Sequence, residues 1–212
     1  MRRASALAAP ACALSLEAMA LPVPTVTIEE YVAAENASDV RHELIHGVIV
    51  AMSGGSERHS LLGGAVLAEL RARLRKGPCR TYTGDQRIFV PATGLVAYPD
   101  VSVVCGPSEK APKDAYALTN PSVLVEVLSP ITAAFDRGAK WQHYQRLASL
   151  RAYVLVEQDA PRVEVYVRDE DRWIYTVYEG LEASAAVAPL GVALPLADLY
   201  EGLPPVEAPP AA

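Results

Sequence analysis

The sequence predicts a mixed α/β fold in which helices flank a central sheet, and three observations support this prediction. Segments with helical spacing of apolar residues alternate along the chain with short strand-like segments. Two of the strand-like segments, residues 122–128 and 152–157, are apolar on both faces, which is typical of strands covered on both sides of a sheet. A predicted helix lies between these two segments at the spacing of a right-handed crossover, so the strands should run parallel.

The first half of the chain is expected to contain two helices with a strand region between them. The predicted elements are a helix at 27–35, a strand or hairpin at 42–52 and a helix at 56–76. Thr27 and Glu30 have the spacing of a capping box at the start of the first helix. Gly47 lies where a hairpin would turn, and Ser56 is a good cap for the long helix.

The second half is expected to be richer in strands. The predicted elements are strands at 79–90 and 98–105, a polar loop at 106–120, the two apolar strands, a helix at 136–150 and a hairpin at 162–178. Asp136 is expected to cap the helix between the two apolar strands. The hairpin should turn at the acidic segment 169–171.

Composition and charge exclude several classes of protein. With 51% hydrophobic and 21% charged residues, the 212-residue chain resembles a globular protein and neither a fibrous nor a disordered one. The net charge of −6 argues against a protein that coats nucleic acid through its overall charge. A nucleic acid would need a local basic patch, and residues 57–87 carry seven basic against three acidic side chains.

The chain is expected to form one domain at 23–203, with an upstream extension at 1–22 and a loose Pro/Ala tail at 204–212. Cys12, Cys79 and Cys105 are far apart in sequence, which argues against a disulfide framework and for a reducing, cytoplasmic location. Cys105 is expected to be a small core residue. Outside the extension no apolar run is long enough to span a membrane, so no membrane partner is expected.

Glu126 is the most informative residue for function, because a carboxylate in an otherwise apolar strand is costly unless it is paired or binds a metal ion. Asp100 begins the preceding apolar strand, and strand pairing could bring the two carboxylates to one end of the sheet. Two hard oxygen donors suit Mg²⁺ or Mn²⁺. Lys140 lies in the helix after Glu126, where its cation could orient a water molecule or stabilise a developing negative charge.

Structural interpretations compete with these assignments. Glu126 and Lys140 could form only a buried salt bridge, with Asp100 as a turn cap. His59, near the start of the long helix, could be a half-buried packing residue. Glu43 begins a strand and could simply pair with Arg41. These alternatives stay open on the residues alone.

The order and spacing of several short motifs resemble the Uma2 family of restriction-endonuclease-like proteins over roughly residues 26–199. The motifs are RHELIHG at 41–47, His59, YPDVSVV at 98–104, VEVLSP at 125–130, and Asp136 with Lys140 and Tyr144. The resemblance implies the PD-(D/E)XK nuclease core, with an αβββαβ element order and with Asp100 and Glu126 as Mg²⁺ ligands. The lysine of that superfamily would fall at Leu128, and the resemblance implies that Lys140 replaces it.

The activity implied by the resemblance is Mg²⁺-dependent hydrolysis of phosphodiester bonds in DNA, with Glu43 or His59 completing the site. DNA is favoured over RNA only by this analogy, and a homodimer is compatible with it. Two other hypotheses remain: a nuclease fold used for binding or assembly without turnover, and a metal-dependent hydrolase of a smaller phosphoester. The intact set of Asp100, Glu126 and Lys140 favours turnover over the first of these.

Overall fold

A computed structural model describes residues 25–206, and the expected extension at 1–22 and residues 207–212 of the expected tail lie outside the described residues. The helical elements are α1 (Ile28–Asn36), α2 (Glu57–Leu74), α3 (Ala133–Phe135), a π-helix (Asp136–Lys140), α4 (Trp141–Tyr144), a 3₁₀ turn (Ala188–Leu190) and α5 (Leu196–Tyr200). The strands are β1 (His42–Ile45), β2 (Val48–Ala51), β3 (Cys79–Thr83), β4 (Arg87–Val90), β5 (Leu95–Ala97), β6 (Val101–Cys105), β7 (Lys110–Ala111), β8 (Asp114–Leu118), β9 (Val123–Leu128), β10 (Ala152–Glu157), β11 (Arg162–Asp169), β12 (Arg172–Glu179), β13 (Ser184–Val187) and β14 (Val192–Pro195).

The central sheet has six strands in the order β12-β11-β10-β9-β6-β3. Its β9–β10 pair is parallel, as the crossover predicted, and its other neighbours are antiparallel. The elements α2, β3, β6, β9, the helical segment after β9, and β10 follow one another in the αβββαβ order that the resemblance implies. The mixed α/β prediction is therefore confirmed.

A second six-stranded sheet, ordered β2-β1-β5-β4-β8-β7, is built from strands inserted into that order. The β1–β2 hairpin precedes α2, the β4–β5 pair lies between β3 and β6, and the β7–β8 pair lies between β6 and β9. The expected strand at 79–90 is thus two strands, β3 and β4, that belong to different sheets. The insertions place a second sheet beside one face of the central sheet.

The doubly apolar strand β9 separates two hydrophobic cores. Val123 and Val125 pack with the buried face of α2 and with the β13–β14 hairpin. Leu124 and Leu128 point the other way, into a core shared with the second sheet and with the segment after the π-helix. Because side chains alternate along a strand, Glu126 lies on this second face, between Leu124 and Leu128.

Local sequence explains the elements that begin near the candidate site. Thr27 and Glu30 form the predicted capping box of α1, and the Ser56 side chain accepts the His59 amide at the start of α2. The hairpin turns at His46 and Gly47, which both have positive φ, at 50° and 76°. The Tyr31 hydroxyl donates to the carbonyl of His42 at 2.7 Å, so α1 braces β1.

One predicted element is wrong in type, and another is helical as expected but shorter. The expected loop at 106–120 contains β7 and β8, because short polar strands of two and five residues carry little apolar periodicity. The expected helix at 136–150 ends at Tyr144 and begins as a five-residue π-helix. Asp136 has no capping role, because its side chain turns inward toward Lys140.

The prediction that the cysteines do not form a disulfide is also wrong. The antiparallel register of β3 and β6 places Cys79 opposite Cys105, and the two side chains form a disulfide bond. Sequence separation of 26 residues hides this proximity, which only the strand pairing creates. Disulfides are typical of oxidising compartments, so the cysteines no longer support a cytoplasmic location. Within residues 25–206 no helix is long and apolar enough to cross a membrane.

The buried face of α2 should dominate the stability of the first core. Leu70 is fully buried against the central sheet, whereas Leu61 on the same helix is 44% exposed. We expect Leu70→Ala to lower the free energy of unfolding by about 2–5 kcal/mol, because it leaves a cavity. Leu61→Ala should change it by less than about 1 kcal/mol. Urea denaturation of both variants measures the difference, and equal losses would contradict the assigned packing of α2.

Candidate active site

Four secondary-structure elements and one loop residue meet along one wall of a cavity of about 1000 Å³. The elements are β1, the start of α2, β9 and the π-helix, and the loop residue is Asp100, which directly precedes β6. All the candidate site residues named from the sequence line this cavity: Glu43, His59, Asp100, Glu126 and Lys140. The structure therefore brings the whole set together, while the role of each residue remains a prediction.

Strand pairing brings Asp100 beside Glu126. The antiparallel register pairs Val101 with Val125, so the next residues outward are Asp100 and Glu126. The Val127 amide donates to Asp100 Oδ2 at 2.7 Å, which fixes one oxygen of that carboxylate. Glu126 is only 4% exposed. The two carboxylates lie at one end of the β6–β9 pair, as expected.

Lys140 lies among three carboxylates. Its Nζ is 3.1 Å from Glu126 Oε1, 3.2 Å from Glu43 Oε1 and 3.4 Å from Asp136 Oδ1. The π-helix makes wider turns than an α-helix, and such turns are frequent at functional sites. Asp136 and Lys140 therefore both point inward from one short segment. Leu128 is buried in the second core, so Lys140 supplies the cation next to Glu126.

The electrostatics of this cluster are unbalanced, because three carboxylates surround one ammonium group. Burial raises the pKa of Glu126 well above its ordinary value, against the lowering effect of Lys140. Burial likewise raises the pKa of Asp136, and Lys140 again opposes it. Burial alone would lower the pKa of Lys140, but Glu126, Glu43 and Asp136 outweigh that effect and raise it. Lys140 is therefore charged at neutral pH.

His59 contacts Asp100 from the first turn of α2, with 3.4 Å between His59 Nε2 and Asp100 Oδ2. A hydrogen bond to Asp100 raises the pKa of His59, although burial acts in the opposite direction. A Cβ on Gly55 would lie 2.7 Å from His59 Nδ1. Glycine at position 55 therefore leaves the space that this ring orientation needs.

Glu43 does not pair with Arg41, as the structural alternative supposed. Arg41 forms its ion pair with Asp85, whereas Glu43 turns toward Lys140. The Tyr98 amide also donates to Glu43 Oε1, at 3.3 Å. Glu43 thus connects the second sheet to the cluster on the central sheet. The Glu126–Lys140 salt bridge is present, but it is one part of this larger group.

Sequence reasoning missed two members of the cluster. Asp136 was expected to cap a helix, and Tyr144 entered only as part of the family motif, without a role of its own. The Tyr144 hydroxyl is buried and donates to Glu126 Oε1 at 3.0 Å. The i, i+4 spacing of Asp136, Lys140 and Tyr144 was a signal that could have indicated one common face.

The donor set suits a hard divalent cation. Mg²⁺ is usually held by one or two carboxylates, with water and substrate oxygens completing its octahedron. Asp100 and Glu126 together provide two such carboxylates. The Oδ1 atom of Asp136 is buried and makes no hydrogen bond among the described residues, and the Lys140 ammonium lies 3.4 Å from it. Within residues 25–206 no group of three or more His, Cys, Asp or Glu side chains is arranged to hold a metal ion.

The rim of the cavity is formed by three loop segments, 52–56, 129–132 and 204–206. The side chain of Arg58 is bound to the carbonyl oxygens of Gln158 and Pro204. Ile131 is 86% exposed on the second rim segment. The rim therefore combines exposed apolar surface with an arginine that already has backbone partners.

Comparison with known proteins identifies the relatives of this chain. A family model described as "Uma2: Putative restriction endonuclease" matches residues 28–197. "Uncharacterized protein slr1290" from Synechocystis sp. (strain ATCC 27184 / PCC 6803 / Kazusa) is 32% identical over 86% of this chain and 95% of its own length. "Uncharacterized protein sll1609" of the same strain is 30% identical over 74% of this chain and 90% of its own length.

A solved structure shares the fold. It is described as a putative nuclease belonging to DUF820 from Anabaena variabilis ATCC 29413. The superposition has a TM-score of 0.67 at 19% sequence identity and covers 82% of this chain and 97% of the other. The family description indicates a nuclease, and the solved structure shows the same architecture.

Removing the cation of the cluster should destabilise the fold strongly. We expect Lys140→Met to lower the free energy of unfolding by about 3–5 kcal/mol, because buried carboxylates lose their partner. Those carboxylates would have folded-state pKa values above their unfolded ones. The free-energy cost of burying these ionised carboxylates is therefore fully present at pH 8. It is relieved toward pH 5, because the carboxylates take up protons.

Lys113→Met is the matched control, because Lys113 is exposed and its one ion pair within residues 25–206 is with Glu29. This exposed pair is screened by solvent and should contribute little to stability. Urea denaturation of both variants at pH 8 and pH 5 measures these differences. A Lys140→Met loss that is small, or that grows toward pH 5, would contradict the described charge balance.

Proposed function

The chain belongs to the Uma2 family, "Putative restriction endonuclease", and we propose that it is a Mg²⁺-dependent endonuclease that hydrolyses phosphodiester bonds of DNA. The observation that carries the proposal is the convergence of Asp100, Glu126 and Lys140 on one cavity wall. Two adjacent carboxylates with a charged lysine beside them are the groups that metal-assisted phosphodiester hydrolysis requires. The choice of DNA as substrate rests on the family description.

In the proposed mechanism Asp100 and Glu126 would hold the metal ion. A bound Mg²⁺ supplies a Lewis acid for the phosphate oxygen and lowers the pKa of a coordinated water. The residues of the chain provide the remaining functions. Lys140 contacts Glu126 Oε1, where its Nζ can donate to a water or to a phosphate oxygen. Glu43 pairs with the same Nζ atom and helps to hold Lys140 in place.

His59 and Tyr144 act as positioning residues in this proposal. The raised pKa of His59, caused first by its hydrogen bond to Asp100, favours the protonated ring. His59 Nε2 can then donate to Asp100 Oδ2 and orient that carboxylate. Tyr144 donates to Glu126 Oε1 and fixes the second carboxylate. Both carboxylates are therefore oriented before a substrate binds.

The deciding experiment is cleavage of supercoiled plasmid by the purified chain with Mg²⁺ and with excess EDTA. We expect nicking or linearisation that EDTA abolishes. Asp100→Asn and Glu126→Gln should each abolish it, because each removes a charged ligand. Asp85→Asn is the control, because Asp85 is an exposed partner of Arg41. Equal cleavage by the wild type and both site variants would assign the activity to a contaminant.

Parallel assays distinguish the alternative functions. Single-stranded DNA, RNA and a small phosphodiester such as bis-p-nitrophenyl phosphate are tested under the same conditions. Turnover of the small ester alone would favour a hydrolase of smaller phosphoesters. Metal-dependent DNA binding with no cleavage of any substrate would favour a binding module. Either result would overturn the endonuclease proposal.

Lys140→Ala tests the role of the ammonium group. If it stabilises charge in the transition state, the cleavage rate should fall by about 10²–10³. Lys140→Arg should not restore the full rate, because a planar guanidinium cannot replace a compact charge in this enclosed position. Rates are compared only for variants that melt cooperatively above the assay temperature. Undiminished cleavage by folded Lys140→Ala would remove Lys140 from the mechanism.

Two neighbouring glycines offer a matched test of His59. A Cβ at Gly55 would collide with the His59 ring, whereas a Cβ at Gly54 would meet nothing within 4 Å. We expect Gly55→Ala to displace the ring from Asp100 and to slow cleavage by about 10- to 100-fold. Gly54→Ala should cleave at the wild-type rate. Equal rates for the two variants would show that the His59–Asp100 contact does not matter for cleavage.

A further inference from the structure

Two histidine rings meet outside the cavity of the candidate active site. His46 lies at the turn between β1 and β2, and His143 lies on α4. Their Nε2 atoms are 3.4 Å apart, and their ring centroids are 4.7 Å apart. Neither residue lines the cavity that contains Glu43 and Lys140. The pair is therefore a separate feature that the proposed nuclease mechanism does not use.

The distance between the two nitrogens is informative. At 3.4 Å the contact is a long hydrogen bond, through which one neutral ring can donate only weakly to the other. Two imidazole nitrogens bound to one tetrahedral zinc ion at 2.0–2.1 Å would lie roughly 3.3 Å apart. The ring planes are tilted by 50°, and the centroids are farther apart than the nitrogens. The rings thus diverge from the facing Nε2 atoms, as two ligands of one ion do.

We propose that His46 and His143 form a two-histidine site for one borderline divalent transition-metal ion such as Zn²⁺, bound through both Nε2 atoms. Imidazole nitrogen prefers zinc, copper and nickel over the hard ions that carboxylates prefer. Because no group of three or more His, Cys, Asp or Glu side chains in residues 25–206 could hold a metal ion, water would complete the coordination. The ion would be a ligand distinct from Mg²⁺ at the carboxylates.

The surroundings favour the neutral, metal-binding form of His143. This ring is only 5% exposed, and burial, followed by the neighbouring His46, lowers its pKa. Its Nδ1 is buried without a hydrogen-bond partner among the described residues, which leaves Nε2 as the atom that can reach an ion. His46 lies at an exposed turn, so an ion can approach from solvent.

The site would join two elements that carry residues of the candidate active site. His46 follows β1, the strand of Glu43, and His143 is three residues beyond Lys140. An ion bound to both rings would tie the β1–β2 turn to the helical segment. The inference does not depend on nuclease activity, since it predicts binding of Zn²⁺ whether or not the chain cleaves DNA.

The test is calorimetric titration of the untagged full chain with Zn²⁺ at pH 7.5. His46→Asn and His143→Gln each remove one ligand, and asparagine tolerates the left-handed backbone at position 46. Removing only the hydrogen-bond partner of a metal ligand lowers metal affinity by about 10–100-fold. Each variant removes a ligand itself, so it should raise the Kd for Zn²⁺ by at least about tenfold. Asp100→Asn is the control, because it alters the carboxylate site and keeps both histidines.

The expected result is Zn²⁺ binding by the wild type and Asp100→Asn that both histidine variants lose. Binding should also weaken at pH 5.5, where protons compete for the imidazoles. Melting curves in EDTA establish that the variants are folded; if His143→Gln is not, His46→Asn at the exposed turn carries the test. Unchanged affinity in the folded histidine variants, absence of wild-type binding, or loss of binding in Asp100→Asn would overturn the proposal.

Discussion

A single buried ammonium group constrains the arrangement of this protein. Lys140 Nζ lies within 3.4 Å of carboxylate oxygens from Glu43, Glu126 and Asp136, which come from β1, β9 and the π-helix. Each carboxylate would be costly to bury without a partner. The three elements must therefore meet at one point, and the Tyr144 hydroxyl donates a further hydrogen bond to Glu126. The cavity opens beside this group.

The topology makes this meeting possible. The αβββαβ order builds the central sheet and brings Asp100 to Glu126 through the β6–β9 register. The inserted strands build a second sheet, whose β1 carries Glu43 to the same place. Several of these strands have only two to five residues, too few for a clear alternating pattern. The sequence predicted the β1–β2 region and Glu43 as a candidate, but the sheet that carries Glu43 to Lys140 was visible only after folding.

The two cation sites that we propose share elements of the fold. The cavity presents carboxylate oxygens, which suit Mg²⁺, whereas the His46–His143 pair presents imidazole nitrogens, which suit zinc. Both depend on β1 and on the helical segment after β9. The proposed Mg²⁺ chemistry needs Asp100 and Glu126, while the proposed zinc site needs neither. The two proposals can consequently succeed or fail separately.

The sequence by itself determined the α/β class, the parallel β9–β10 pair, the capped helices and the candidate residues, because apolar spacing and a buried acid are local signals. Tertiary structure alone decided which of those residues touch. The Cys79–Cys105 bond, the inward turn of Asp136 and the contact between Glu43 and Lys140 all join segments through strand register or a π-helical turn. Register and helix type depend on packing across the whole chain, so the two long-range contacts had no local pattern to reveal them. For Asp136 the i, i+4 spacing with Lys140 indicated only a shared helix face, not that this face turns inward.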